Sequence, residues 1–157
     1  MEIIHFNSAI FPVFKNSVIS IGSFDGVHQG HAKILSQLST EAKKLQSKSI
    51  LISFDRHPRQ LLDGDKESFR ILSTLDEKKI LLEKYQIDYL VIVPFTLDFA
   101  QLRPEDYIEN FLIKYFNPKI IIIGFDHRFG INGSGNIHLL KNYAAQNKFD
   151  IIEIPKL

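Results

Sequence analysis

The chain has 157 residues, 45% of them hydrophobic and 24% charged, which suits one domain with a single sizeable core. Its 19 basic and 18 acidic side chains nearly cancel and are scattered, so the positive footprint that duplex nucleic acid or an anionic membrane needs is missing. There is no cysteine for a disulfide framework or thiolate metal cluster, the opening MEIIHFNSAIF lacks the basic and long apolar regions of a signal peptide, and apolar runs such as IIII at 120–123 fall far short of the about 20 residues of a membrane span, so the expected compartment is the cytoplasm.

Short β-branched runs alternate with longer amphipathic segments. Strands are predicted at Val18–Phe24, Ser49–Phe54, Tyr89–Phe95, Lys119–Phe125 and Phe149–Ile154, with a strand-like segment around His5. The first helix is predicted over His31–Gln46, where Leu35, Leu38, Ala42 and Leu45 fall on one face. A second runs over Leu75–Tyr85 behind Thr74 and Glu77, the spacing of a reciprocal capping box. Pro104 opens a third, with Tyr107, Ile108, Phe111, Leu112 and Tyr115 turned inward, and a fourth covers Ile137–Gln146. Strand, helix, strand at this spacing gives right-handed crossovers and a Rossmann-like, doubly wound parallel sheet in one α/β domain. Ligands of such sheets collect outside the carboxyl ends of the strands, so the loops after the first, second and fourth predicted strands should share one site. The long connection Asp55–Ser73 is rich in charge and turn residues.

The first of those loops, within SIGSFDGVHQGHAKIL at 20–35, carries three glycines and two histidines. Gly22 and Gly26 permit sharp turns, and Gly30 stands just before a helix whose unsatisfied N–H groups face the strand-end cleft, an arrangement suited to an anion. The spacing is neither GxGxxG nor GxxxxGK[ST]. His28 and His31 are three apart and can address one ligand; two imidazoles there can hydrogen-bond phosphate oxygens and spread charge developing at phosphorus. The same pair also meets zinc spacing or a helix cap, but no further ligand is marked and the glycines suit phosphate better. In the second loop, SFDRHPRQLL, His57 is held extended by Pro58, and Arg56 and Arg59 suit either a phosphate or ordinary surface charge; Phe54 reads as core. The third loop, GFDHRFGINGSGN, brings four glycines with Asp126, Arg128 and Phe129 to the same cleft. Asp126 could reach magnesium through water, orient a ribose or amide, or stabilise its own turn; Arg128 could pair with phosphate and Phe129 could offer an aromatic face. His5 and His138 receive no role.

GSFDGVHQGH resembles the GxFDGxHxGH signature of the bacterial bifunctional riboflavin kinase/FAD synthetases, within the wider nucleotidyltransferase superfamily marked by HxGH. FDRHPRQLL, LSTLDEKKILLEKYQIDYLVIVPF and IIIGFDHRFGINGSGN resemble further blocks of that family in its order, from Val18 to Asn136. The resemblance implies adenylyl transfer from ATP to FMN, giving FAD and pyrophosphate, with magnesium accompanying ATP and no covalent enzyme intermediate. It implies that His28 and His31 stabilise the transition state and that Ser23, Phe24, Asp25, Gly26 and Gly30 shape the ATP phosphate loop. Asp126, Arg128, Phe129 and Gly130 would line the flavin and phosphate side, with Phe54, His57, Pro58 and Tyr107 on the flavin side and no resident metal site assigned. Two departures stand out: INGSGN lacks a basic residue common in the family, and the chain stops at IIEIPKL, before the family's serine-rich motif and its β-barrel riboflavin kinase domain. The expectation is a C-terminally truncated FMN adenylyltransferase module of 157 residues that forms little or no FAD. The alternatives are a domain that binds flavin or adenine nucleotide without turnover, and an HxGH transferase with another phosphorylated acceptor.

Overall fold

Six parallel strands form one sheet in the order β1-β4-β3-β2-β5-β6. The structure is a computed structural model and describes residues 1–24, 29–55 and 75–156, with backbone only at 29 and 30. The strands are β1 (Glu2–His5), β2 (Ser17–Ile21), β3 (Ser49–Phe54), β4 (Tyr89–Val93), β5 (Pro118–Gly124) and β6 (Asp150–Ile154). The segment around His5 is therefore a full strand, paired along β4 at the sheet edge. Every residue of β2 is buried, as expected of a strand covered on both faces, which is why SVISI shows no apolar and polar alternation.

Helices α1 (Gln29–Leu45) and α2 (Leu75–Lys84) cover one face, where Ile34, Leu35, Leu38, Ala42 and Leu82 pack on Val18, Leu51, Leu90 and Ile122. The inward stripe of α1 stops before Leu45, which is 41% exposed: it is the last helical residue, and the chain turns away at Gln46 in the left-handed region. Thr74 lies outside the described residues, so the capping box does too. A short helix that the periodicity did not reveal, α3 (Leu97–Ala100), is capped by Thr96, whose hydroxyl accepts from the Phe99 N–H at 3.2 Å.

The opposite face is covered by α4 and α5 (Ile137–Ala145). Helix α4 opens as Pro104–Asp106, widens into a π-helix over Tyr107–Ile113 and closes as Lys114–Phe116. Tyr107, Ile108, Phe111 and Leu112 are buried as the spacing predicts, but Tyr115 is only half-buried and Phe116 is fully enclosed. The wider i to i+5 turn moves the buried stripe on by one residue, from the position an α-helix would use to Phe116. Phe6, Phe11 and Phe14 of the N-terminal segment close over Phe116 and Tyr115 with ring centroids 5.0–6.3 Å apart.

Strand order runs β2, β3, β4 in one direction and then restarts on the other side of β2 with β5. The switch point thus lies between β2 and β5, and the crevice at their carboxyl ends is bordered by residues 22–24, the start of α1 and the loop after Gly124.

Candidate active site at the carboxyl edge

One end of the crevice begins where β2 gives out at Ile21, three residues before the predicted end at Phe24. Phe24 takes a left-handed backbone, φ 50, and turns its ring inward, 6% exposed. A side chain at Gly22 would place its Cβ 2.7 Å from the Phe24 ring, so glycine is needed there for packing. The same ring lies 4.5 Å from the His31 imidazole, so Phe24 packs against the first turn of α1. Helix α1 starts at Gln29, two residues earlier than predicted, which puts Gly30 and His31 together in its first turn, where backbone N–H groups have no helical partner. Ser23 begins the loop, and its carbonyl accepts from Ser53 Oγ at 3.1 Å and from Lys78 Nζ at 3.0 Å. Asp25, Gly26 and His28 lie outside the described residues, as do Arg56, His57, Pro58 and Arg59.

The other end of the crevice is an aromatic cavity of about 170 Å³, lined by Phe54, Phe95, Phe99, Tyr107, His127, Arg128, Phe129 and Gly130 among others. Phe54 reads as core from the sequence, yet it is half-buried and lines this cavity, with its ring 5.3 Å from Phe95 and 5.8 Å from Phe99. Asp55 positions that wall: its Oδ1 accepts the Phe95 N–H at 3.0 Å, tying the loop after β4 to the end of β3. Phe95 and Phe99 carry neither glycines nor charge to mark them as site residues; the aromatic pair in PFTLDFA, directly after a strand, is the signal the sequence holds for them.

Across the cavity, the loop after β5 folds on itself through a two-residue bridge between Phe129 and Gly135. Phe129 does not hold out a free aromatic face: it is 6% exposed and stacks on Tyr107 at 4.9 Å and on His127 at 5.8 Å. Burial pushes the Tyr107 hydroxyl well above its ordinary range, so it stays protonated and can only share its proton in a hydrogen bond. A Cβ at Gly135 would sit 2.4–2.7 Å from the Phe129 ring. Gly135→Ala should therefore displace Phe129 and cost about 1–3 kcal/mol, read as a lowered urea midpoint, with loss of aromatic-ligand binding in the cavity. Gly130 has φ 77 and packs its Cα against Pro104 at the mouth of α4, while Ile131 N–H donates to the Leu102 carbonyl at 2.7 Å. These contacts fix the loop to the π-helix that carries Tyr107.

Asp126 and Arg128 are both exposed, and Arg128 is among the residues that line the cavity. His127, given no role from the sequence, is partly exposed as a residue, but its Nε2 is shut off from water and has no hydrogen-bond partner among the described residues. Burial pushes its pKa down to about 4, against a smaller opposing pull from Asp126. Among the described residues no three His, Asp or Glu side chains converge as metal ligands.

A parallel sheet with its switch point beside a histidine-bearing helix start is a nucleotidyltransferase-like Rossmann fold. Residues 11–157 match the sequence profile of FAD synthetase, and the chain belongs to that family. It is 42% identical over 143 residues to the bifunctional riboflavin kinase/FMN adenylyltransferase of Buchnera aphidicola subsp. Schizaphis graminum, covering 91% of this chain and 46% of that protein. The protein of the same description from Buchnera aphidicola subsp. Acyrthosiphon pisum is 35% identical over 157 residues, covering 100% of this chain and 50% of its own. The chain therefore spans about half the length of these curated relatives. A crystal structure described as a macrolide-efflux protein from Streptococcus pneumoniae superposes with a TM-score of 0.85 at 26% identity, over 99% of this chain and 51% of that one. The resemblance carried by the four sequence blocks is borne out. Among the described residues no helix is long and apolar enough to cross a membrane.

Proposed function

We propose that this domain catalyses adenylyl transfer from MgATP to FMN, releasing FAD and pyrophosphate. The observation that carries the reading is the juxtaposition at one switch point of a glycine- and histidine-rich helix start with an aromatic cavity rimmed by Arg128. The triphosphate would lie along residues 23–31, where the first N–H groups of α1 and its partial positive charge favour an anion. The flavin ring would enter the cavity between Phe54, Phe95 and Phe99 on one side and the Tyr107, Phe129 and His127 rings on the other, which exclude water and offer π-faces and edges. Arg128 at the rim would then meet the FMN phosphate and bring one of its oxygens to the α-phosphorus of ATP. A P–O bond forms there as the bond to the β-phosphate oxygen breaks and pyrophosphate departs with the electron pair. His31, and with it His28, would stabilise the negative charge that builds on the phosphoryl oxygens; the residues position and neutralise, with no covalent step on the protein. Asp126, exposed in the same loop, would orient the ribityl or ribose hydroxyls. The setting we infer is the cytoplasm, where both substrates are soluble.

Incubation of a form extended at the carboxyl end to the length of the curated relatives with ATP, magnesium and FMN, riboflavin or pantetheine phosphate, with products separated by chromatography, tests the reading. Conversion of FMN alone supports it; conversion of pantetheine phosphate would move the domain to another acceptor class, and flavin binding with no conversion would make it a binding module. Arg128→Ala should weaken FMN binding roughly tenfold by calorimetry while leaving riboflavin, which lacks the phosphate, nearly unaffected. Equal FMN affinity in the variant would remove Arg128 from the site.

A further inference from the structure

The fold gathers lysines that the sequence scatters. Lys15 precedes β2, Lys43 lies in the last turn of α1 and Lys48 precedes β3, yet all three line one groove of about 410 Å³ at the amino edge of the sheet, opposite the crevice. Lys15 and Lys48 have no ion-pair partner among the described residues, and Lys43 donates to the neutral Gln86 Oε1. Among the described residues one carboxylate lines the groove, that of Asp88, and it is turned to the backbone: its Oδ2 accepts from the Ser49 N–H at 2.9 Å and from Ser49 Oγ at 3.1 Å. The negative ends of α1 and α2 face this edge, which accounts for Lys43. Their last carbonyls, however, are already taken by the Gln46 and Ser47 N–H groups behind α1 and by the Gln86 and Ile87 N–H groups behind α2. Lys15 and Lys48 belong to neither helix, so capping leaves two ammonium groups unexplained.

The groove is also held in shape. Ser47 Oγ donates to the Asn16 carbonyl and the Val18 N–H donates to the Lys48 carbonyl at 3.0 Å, which fastens the segments of Lys15 and Lys48 to each other. Gln46 and Gln86 follow their helices with φ 52 and 60, positions that usually fall to glycine, and both residues line the groove. Lysine cannot accept, so the Gln86 oxygen faces Lys43 and its amide N–H groups remain to donate. We propose that this groove is a second ligand site, for a small anion with two or more phosphate groups such as pyrophosphate. The cradle offers ammonium and amide donors, and Ala42 is the sole apolar residue lining it among the described residues. That composition suits charge-dense phosphates and gives a nucleobase or flavin ring no platform. Helix α1, 17 residues and about 25 Å long, separates the groove from the carboxyl edge, so the site stands whether or not the domain transfers adenylyl groups.

Pyrophosphate titrated into the 157-residue chain, followed through backbone amide shifts, tests the site. Saturable shifts are expected at residues 46–49 and 86–88. Lys15→Ala and Lys48→Ala should each weaken this binding roughly tenfold at an unchanged thermal midpoint, and Lys48→Arg should keep most of it. Lys44→Ala, which removes a lysine paired with Glu41 and not lining the groove, should change it by less than about twofold. No saturable shift at these residues at millimolar pyrophosphate overturns the proposal. Shifts confined to residues 124–130 also overturn it, while leaving an anion site at the carboxyl edge. Equal losses from Lys44→Ala and Lys48→Ala overturn it in favour of diffuse surface charge. Tighter binding of a single-stranded oligonucleotide than of pyrophosphate at the same amides overturns it as well, because the edge then serves nucleic acid.

Discussion

His31→Ala in an active form of the enzyme should lower the rate of FAD formation about a hundredfold to a thousandfold while FMN affinity stays within about threefold. The imidazole stands in the first turn of α1, over the Phe24 ring and beside the helix donors, where under the proposed function it would meet charge that exists chiefly in the transition state. A group of that kind raises turnover without adding much to ground-state binding, so kcat carries the loss. Single-turnover rates with saturating FMN and ATP separate the two quantities. An equal loss in binding and turnover would mean that His31 serves to hold Phe24 and the loop, and the proposed role would fall.

The second large effect concerns acid stability. His127 has its pKa pushed from 6.5 to about 4 by burial, so between those values the unfolded chain takes up a proton that the folded chain refuses. Stability contributed by the neutral imidazole is complete above about pH 6.5, declines as pH falls toward 4, and is lost below it, for a total of up to about 3 kcal/mol. His127→Phe keeps a ring to stack on Phe129, removes the enclosed nitrogen and abolishes this component. Urea midpoints at pH 7 and pH 4.5 should therefore differ much less in the variant than in the parent, with the variant at least as stable at pH 7. The same pH drop in both proteins would show that other groups dominate the acid limb.

What the amino-acid pattern made legible follows the physics of each element. Buried parallel strands are written as β-branched runs, so β2 through β6 were found within three residues at each end. Helix starts were shifted by at most two residues, and the topology rule placed residues 22–24, Asp55 and the loop after β5 at one edge. Side-chain destinations were less legible. Phe129 reads as an aromatic face for a ligand but is packed, because whether a loop aromatic faces outward depends on partners distant in sequence, here Tyr107. Phe95, Phe99 and His127 acquire their place only when β3, β4 and β5 stand in one sheet. The wide stretch of α4 leaves no mark in a 3.6-residue pattern except the small conflict between Tyr115 and Phe116.

That stretch makes spacing matter as much as identity. Because residues 107–113 advance around the axis more slowly than an ordinary helix, the chain holds one more link there than the same contour would need if it were tightly wound. Removing a single residue from this segment would let it relax into regular winding and swing everything on one side of the cut about the axis, so that Tyr107 at the cavity and Phe116 under the N-terminal rings could no longer both be seated. A change in the number of residues in the segment thus forces a choice between the wall of the cavity and the aromatic cluster at the amino terminus.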